Sequence, residues 1–241
     1  MTIVEHPIDL VLVGSNGRMG TALVDACNDG HTHRVVGRVD IDGEVLPSET
    51  TNSVVIDFSS DAGTQRAIII AEKLKSPILV GTTALKEATI DRLRLLARSL
   101  PVAVVPNTSL GIALLQHFVS IAIGTGDDQR GLDAVLREVH HACKRDAPSG
   151  TAIDLVKSMN QMGLEVSCDD VESIRTGDVV GTHEVRLDFG DERLVLRHEA
   201  LDRSLFARGA LRLAGLLIGR APGLYRASDL LDLDLPARKR T

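Results

Sequence analysis

The sequence is short of rings: it holds no Trp, one Tyr and four Phe in 241 residues. A protein that stacks bases on aromatic side chains needs several rings together, so the composition argues against that class. An acidic balance, 27 basic against 33 acidic side chains and a net charge of −6, argues against a nucleic-acid coat. Cysteine is sparse as well. Cys27, Cys143 and Cys168 form an odd set with no CxxC pair, which is the usage of a reducing compartment and builds no zinc site. No apolar run approaches the roughly 20 residues needed to span a bilayer. Met1 to Asp9 carries Glu5 and Asp9 and lacks the basic start and apolar segment of a signal peptide. A cytoplasmic protein without membrane or nucleic-acid partners is therefore expected. What is present is ordinary for a globular chain, 44% apolar and 25% charged residues, and with so few rings the core must be aliphatic.

Short apolar segments alternate with longer helical ones through the first half. Strands are expected at Ile8 to Val13, Val35 to Val39, Val54 to Phe58, Pro77 to Val80 and Val102 to Val105. Helices are expected from the Gly14-Ser15-Asn16-Gly17 turn to about Asn28, over Ala62 to Lys75 behind a Ser59-Ser60-Asp61 cap, and over Ala88 to Ser99. This rhythm is that of βαβ units around a parallel sheet buried on both faces. After Pro106 it changes. Leu110 to Ile123, Ser149 to Met162 and Ser204 to Ile218 read as helices, and Gly124 to Arg130 as a polar loop. Val135 to Val139 reads as a strand, and Val179 to Leu187 and Arg193 to His198 as a hairpin about Phe189-Gly190-Asp191-Glu192. The expected architecture is α/β. A Rossmann-like dinucleotide-binding domain spans 1–109, with 219–241 packing back on it. A smaller α+β domain on a mixed sheet spans 110–218 and serves substrate binding and oligomerisation.

Gly14, Gly17 and Gly20 follow the first strand and open the first helix. There a backbone approaches a pyrophosphate closely, and the helix N-terminus supplies unpaired N–H groups. The spacing is G-x-x-G-x-x-G, with Asn16 where a second glycine is commoner; Asn tolerates the left-handed conformation. Asp40, 20 residues beyond Gly20 at the end of the second strand, is placed to accept hydrogen bonds from an adenosine ribose. Alone, the glycines could make only a tight βα turn; strand, helix and acid together favour a dinucleotide. Asp40 would repel a 2′-phosphate and so favours NADH, while Arg18 and Arg38 soften that preference. Gly81-Thr82-Thr83 and Val105-Pro106-Asn107-Thr108 follow later strands and could line the same crevice, or serve as simple turns.

The densest chemistry lies in 138–151, EVHHACKRDAPSGT. His140, His141 and Lys144 offer a proton donor near neutral pKa and fixed positive charge. Pro148 to Thr151 enters a helix whose free N–H groups could hold a carboxylate. The other reading is a solvated loop with surface histidines; a zinc site lacks the usual ligand spacing.

HHACKRDAPSGT closely resembles the HHxxKxDAPSGT signature of the dihydrodipicolinate reductases of lysine biosynthesis. GSNGRMG at 14–20, DFSS at 57–60, GTT at 81–83, NTSLG at 107–111, RTGDVVGTHEV at 175–185 and ALDRSLFARGA at 200–210 resemble that family too, in the same order. The resemblance implies reduction by NADH or NADPH of a cyclic dicarboxylate, a hydroxy-tetrahydrodipicolinate that loses water to an unsaturated imine, to give tetrahydrodipicolinate. It implies His140 as general acid, Lys144 as assisting charged donor, and His141, Gly150 and Thr151 as holders of the substrate carboxylates. It assigns the dinucleotide to Gly14, Ser15, Asn16, Gly17, Arg18 and Met19, to Asp40, to Gly81, Thr82 and Thr83, and to Val105, Pro106, Asn107 and Thr108; no metal is implied.

The sequence also departs from the family. Cys143 stands at a position often His, Ala84 where a Gly usually follows GTT, and Thr108 where an aromatic often follows Asn. Only 30 residues separate Lys144 from Arg175, where relatives often carry a longer, Gly-rich insert that contributes to tetramer contacts; a homo-oligomer is still expected. Two other readings stand beside this one: another amino-acid dehydrogenase of the same plan, and a non-catalytic NAD(H)-binding regulator. Finally, six Arg between 193 and 220 face only Glu199 and Asp202 in that stretch. With Lys144 and Arg175, they could present positive charge to a dicarboxylate.

Overall fold

The computed structural model describes residues 7–30, 32–125 and 132–233. The chain divides into two units, one formed by residues up to Ser109 with Ser204–Asp232, the other by Leu110–Arg203.

The first unit opens with β1 (Ile8–Val13), α1 (Arg18–Asp29), β2 (His33–Asp40), β3 (Gly43–Val45), β4 (Ser53–Asp57), α2 (Asp61–Leu74), β5 (Ile78–Val80), α3 (Glu87–Leu96) and β6 (Pro101–Val104). Strand β1 pairs in parallel with both β2 and β4, so the order of strands reverses beside it. Alternation along β1 shows how the sheet is buried. Leu10 and Leu12 enter one aliphatic cluster, while Val11 and Val13 enter the cluster on the other face with Ala67, Ile68 and Leu93 of α2 and α3. Each such side chain contributes about 1.5–3 kcal/mol on full burial, so the scarcity of rings costs the core little. Helix α2 begins as its cap sequence requires: the Ser60 side chain accepts from Gly63 N at 3.2 Å.

The second unit holds α4 (Leu110–Thr125), β7 (Asp133–His140), α5 (Gly150–Gln161), β8 (Glu172–Arg175), β9 (Gly181–Asp188) and β10 (Arg193–Ala200). Its sheet runs β10-β9-β7-β8, mixed because β7 and β8 are parallel and the other pairs antiparallel. Ile112, Leu115 and Val119 of α4 and Ala152, Leu155 and Met159 of α5 share one cluster with Leu136, Val185 and Leu187 of the sheet. The hairpin turn expected at 189–192 closes with Phe189 N donating to Glu192 O at 2.9 Å. Of the polar loop expected at 124–130, Gly124 continues α4 and residues 126–130 lie outside those described.

The chain then re-enters the first unit through α6 (Ser204–Leu217), β11 (Gly223–Tyr225) and α7 (Ala227–Leu230), completing a seven-stranded sheet in the order β11-β6-β5-β4-β1-β2-β3. This corrects the boundary expected at 218. Helix α6 buries Ala207, Ala210, Leu211, Leu213, Ala214 and Leu217 against Leu10, Leu12 and Leu23, not on the second sheet. Its amphipathic face is legible, but pattern alone does not say which sheet it covers. Strand β11 pairs with β6, and 234–241 lie outside the described residues. No helix among the described residues is long and apolar enough to cross a membrane.

Candidate active site

In the first unit the carboxyl ends of the parallel strands fall in register: Val39, Val13, Asp57, Val80 and Val104 sit side by side across β2, β1, β4, β5 and β6. Residues just beyond this row therefore gather at one edge of the sheet, beside the reversal of strand order at β1, where ligands of such sheets bind. Gly14 to Met19, Asp40, Gly81 to Thr83 and Val105 to Thr108 all lie there. Gly14 adopts φ +82°, and a Cβ on it would stand 2.5 Å from Phe58 O; one on Gly20 would stand 2.5 Å from Ser15 Cα. Both glycines are needed for the chain to turn this tightly against the end of β4. Gly17 caps α1 without a side chain, which leaves the helix N-terminus with no side-chain acceptor. Asp40 accepts from the Ser15 hydroxyl and from Asn16 N at 3.1 Å, so the acid and the glycine turn form one structure. Met19 turns inward to pack on the core, whereas Arg18 and Arg38 are exposed.

Behind this edge sits a residue to which the sequence reading gave no role. Asp57 is fully buried and its acceptors are saturated: Oδ1 takes the Ser59 hydroxyl, and Oδ2 takes Thr64 Oγ1 at 2.5 Å and Thr82 Oγ1 at 2.8 Å. Burial pushes its carboxyl above the ordinary Asp value, against the lowering effect of those bonds. Thr82 also accepts from Ser59 N at 2.8 Å, so its side chain holds the loop together from within. Thr108 behaves alike: its hydroxyl donates to Phe206 O at 2.7 Å beneath α6. In these two loops Thr83 and Pro106 are exposed and Asn107 is half-buried, while Gly81, Thr82, Val105 and Thr108 are buried. A buried acid flanked by hydroxyl residues was the available signal for this network.

In the second unit the period of β7 places Leu136, Glu138 and His140 on the face that α5 covers. Glu138 lies opposite His183 on β9 and beside Ser173 on β8, and His140 lies beside Arg175. Arg175 grips Glu138 with both ends of its fork, Nη1 to Oε2 at 2.9 Å and Nη2 to Oε1 at 2.6 Å. Ser149 N adds a third bond to Oε1 at 3.3 Å. Burial pushes the Glu138 carboxyl up, but the bonds from Arg175 and His140 outweigh it and hold the group ionised, below the usual value. Its Oε2 also meets Nδ1 of His140. An ionised carboxylate only accepts, so Nδ1 carries the hydrogen and Nε2 is the free position of the ring. A Cβ on Gly181 would stand 3.0 Å from that Nε2.

Around this core the other expected residues take their places. Ser149 caps α5, accepting from Ala152 N at 3.2 Å, and its hydroxyl lies 3.0 Å from His183 Nε2. Gly150 and Thr151 are therefore the first residues of a helix N-terminus, as the carboxylate reading requires. The His183 ring lies edge-on to His140 at 5.1 Å, and burial with the charges of His140, His198 and Lys144 drives its pKa down to about 3. Burial, with Lys144 and Arg175, lowers the His140 pKa despite Glu138. Lys144 Nζ is bonded to both Asp146 oxygens at 2.8 Å, while Cys143 is exposed and free.

The arginines expected to draw in a dicarboxylate are divided between the two units. Arg175 spends its remaining Nη hydrogens on Ile174 O and Asp146 O, and Arg193 and Arg197 pair with Asp188 and Glu199. Arg208, Arg212 and Arg220 belong to the first unit. Sequence proximity grouped these residues; the return of α6 to the other sheet assigns them to different units.

Comparison with known proteins assigns both halves. Residues 8–108 match the family model "Dihydrodipicolinate reductase, N-terminus" and residues 111–231 the model "Dihydrodipicolinate reductase, C-terminus". The 4-hydroxy-tetrahydrodipicolinate reductase of Xanthomonas euvesicatoria pv. vesicatoria is 36% identical over 238 residues, covering 93% of this chain and 98% of that protein. The enzyme of that name from Alkaliphilus oremlandii is 31% identical over 241 residues, 94% and 99% of the two chains. The dipicolinate-bound dihydrodipicolinate reductase from Paenisporosarcina sp. TG-14 shares the fold, with a TM-score of 0.74 at 19% identity over 92% of this chain and 98% of that one. Matched in order along nearly its whole length, this chain belongs to the dihydrodipicolinate reductase family.

Proposed function

We propose that the protein is a 4-hydroxy-tetrahydrodipicolinate reductase of the diaminopimelate route to lysine, using NADH or NADPH. The first unit holds the dinucleotide and the second binds the cyclic dicarboxylate. The observation that carries this reading is the convergence, at one end of the second sheet, of a buried histidine, a lysine and a side-chain-capped helix N-terminus.

The residues of the first unit fit a dinucleotide. The turn leaves no room for a side chain at Gly14 or Gly20, so the backbone there can approach a pyrophosphate, and α1 presents its N-terminal N–H groups without a side-chain cap. Ser15 and Asn16 N, both bonded to Asp40, can exchange that acid for ribose and phosphate oxygens. Thr83, Asn107 and the backbone of Gly81, Thr82, Val105, Pro106 and Thr108 serve the nicotinamide half. When bound, the reduced nicotinamide supplies a hydride.

The second unit supplies the proton. Reduction of the unsaturated imine adds one hydride and one proton, and His140 gives the proton from Nε2, the ring position left open beside Gly181. Lys144 releases Asp146 to stand as a positive donor beside the substrate, and His141 with the Gly150 and Thr151 end of α5 holds its carboxylates. The same unit carries the contacts of a homo-oligomer, and the three free cysteines suit a reducing cytoplasm.

Consumption of NADH and NADPH by the purified protein, with the hydroxy-tetrahydrodipicolinate generated enzymatically in the cuvette, tests this. Turnover dependent on that substrate is expected with at least one cofactor. Folded protein that consumes neither above background contradicts the proposal.

A further inference from the structure

A carboxylate lies beneath the proposed proton donor. Glu138 is fully buried, and it touches three things: the Nδ1 side of His140, both ends of the Arg175 fork, and the backbone N–H at the start of α5. Arg175 in turn has every Nη hydrogen committed inside the protein, two to Glu138 and the others to the carbonyls of Ile174 and Asp146. It is therefore not a ligand for the substrate carboxylate. Its committed bonds hold Glu138 in place.

We infer that Glu138 and Arg175 form a buried positioning pair that fixes the His140 imidazole with Nε2 as its working nitrogen, and that Arg175 limits how much of the carboxylate's charge the ring feels. A carboxylate alone beside an imidazole stabilises the imidazolium and makes it reluctant to give up its proton. Neutralised by a bidentate guanidinium, it still accepts from Nδ1 and so still dictates the tautomer. The ring thus gains orientation without becoming too weak an acid. The other groups facing it act in the same sense. The neutral His183 ring lies edge-on from β9, and Lys144, paired with Asp146, faces it from the loop after β7. His141 follows it in the chain, and α5 directs its positive end toward Glu138 through Ser149 N. The inference rests on the reading of His140 as proton donor, and the test separates the two.

The experiment is nitrogen NMR of the histidine-labelled protein, with the pH profile of kcat/KM, for wild type, Arg175→Gln and Glu138→Gln. In the wild type the neutral His140 ring is expected as the Nδ1–H tautomer, titrating below the ordinary imidazole midpoint. Arg175→Gln moves that midpoint, and the limb of the profile that falls with rising pH, upward by about one pH unit. Glu138→Gln moves both downward and mixes the tautomers. A wild-type ring protonated at Nε2 overturns the inference, and so does a midpoint unmoved in whichever folded variant is measured. The wild-type spectrum alone decides the tautomer if both variants fail to fold. If the NMR shifts appear while His140→Gln keeps full turnover, the pair stands and the reading of His140 as donor falls.

Discussion

Gly181 and Ala84 show how single positions set the chemistry and the strain of this molecule. A methyl group on Gly181 would come within 3.0 Å of His140 Nε2, so Gly181→Ala is expected to push the ring off its working position and lower kcat by about tenfold or more. Steady-state kinetics beside an unchanged melting temperature would check this. Ala84 holds φ +55°, the left-handed region that costs an L residue about 1–2 kcal/mol, partly offset by the backbone entropy a glycine would lose. Ala84→Gly should therefore raise stability by up to about 1 kcal/mol in urea titration; a loss of stability would show the strain is not real. The sequence already marked both positions through the family motifs, but not their reasons. The proposed roles of His140 and Lys144 rest on chemistry written in their side chains. Glu138 was not legible, because a carboxylate two residues from a histidine becomes its partner only when a strand puts both on one buried face. Arg175 was read as a free cation, since nothing local says that its fork is filled from within.

At the scale of elements, two loop-to-helix junctions do most of the positioning. The first is the knot of hydroxyls around Asp57, which ties the end of β4, α2 and the loop after β5. Asp57→Asn replaces an acceptor for several hydroxyls with a group that also donates, and should weaken dinucleotide binding about tenfold, a loss of ~1.4 kcal/mol, with kcat little changed. Isothermal titration with NADH reads the affinity; Thr82→Val should reproduce the loss and Thr82→Ser restore it. The second junction is the start of α5, where Ser149 meets His183. His183 is 4% exposed and its folded pKa is about 3, below its ordinary value near 6.5. The folded state refuses a proton that the unfolded state accepts, so stability present above pH 6.5 is lost as pH falls toward 3. The loss is on the order of 5 kcal/mol. His183→Gln should flatten the acid limb of a stability-versus-pH curve; an equally steep limb would place the acid sensitivity elsewhere. Most strands and helices here announce themselves by period and caps. Strands β3, β8 and β11 do not, being three or four residues long and lacking apolar alternation.

On the scale of the whole chain, the proposed function divides one reduction between the two units, and the sequence runs out of the first unit and back into it. The return of α6 to the first sheet was hidden because burial pattern shows that a helix has an apolar face, not which sheet receives it. The overall charge of −6 was equally uninformative about an anionic substrate. In the proposed site the local charges are those of Lys144, paired with Asp146, and Arg175, paired with Glu138. In the proposed reaction hydride comes from the dinucleotide of the first unit and the proton from His140 of the second. The most direct test is His140→Gln beside wild type in the substrate-coupled NADH and NADPH assay, with dinucleotide affinity measured on both. The variant is expected to show a kcat lower by on the order of 10²-fold or more with unchanged dinucleotide affinity; a variant that keeps the wild-type kcat would contradict the role of His140.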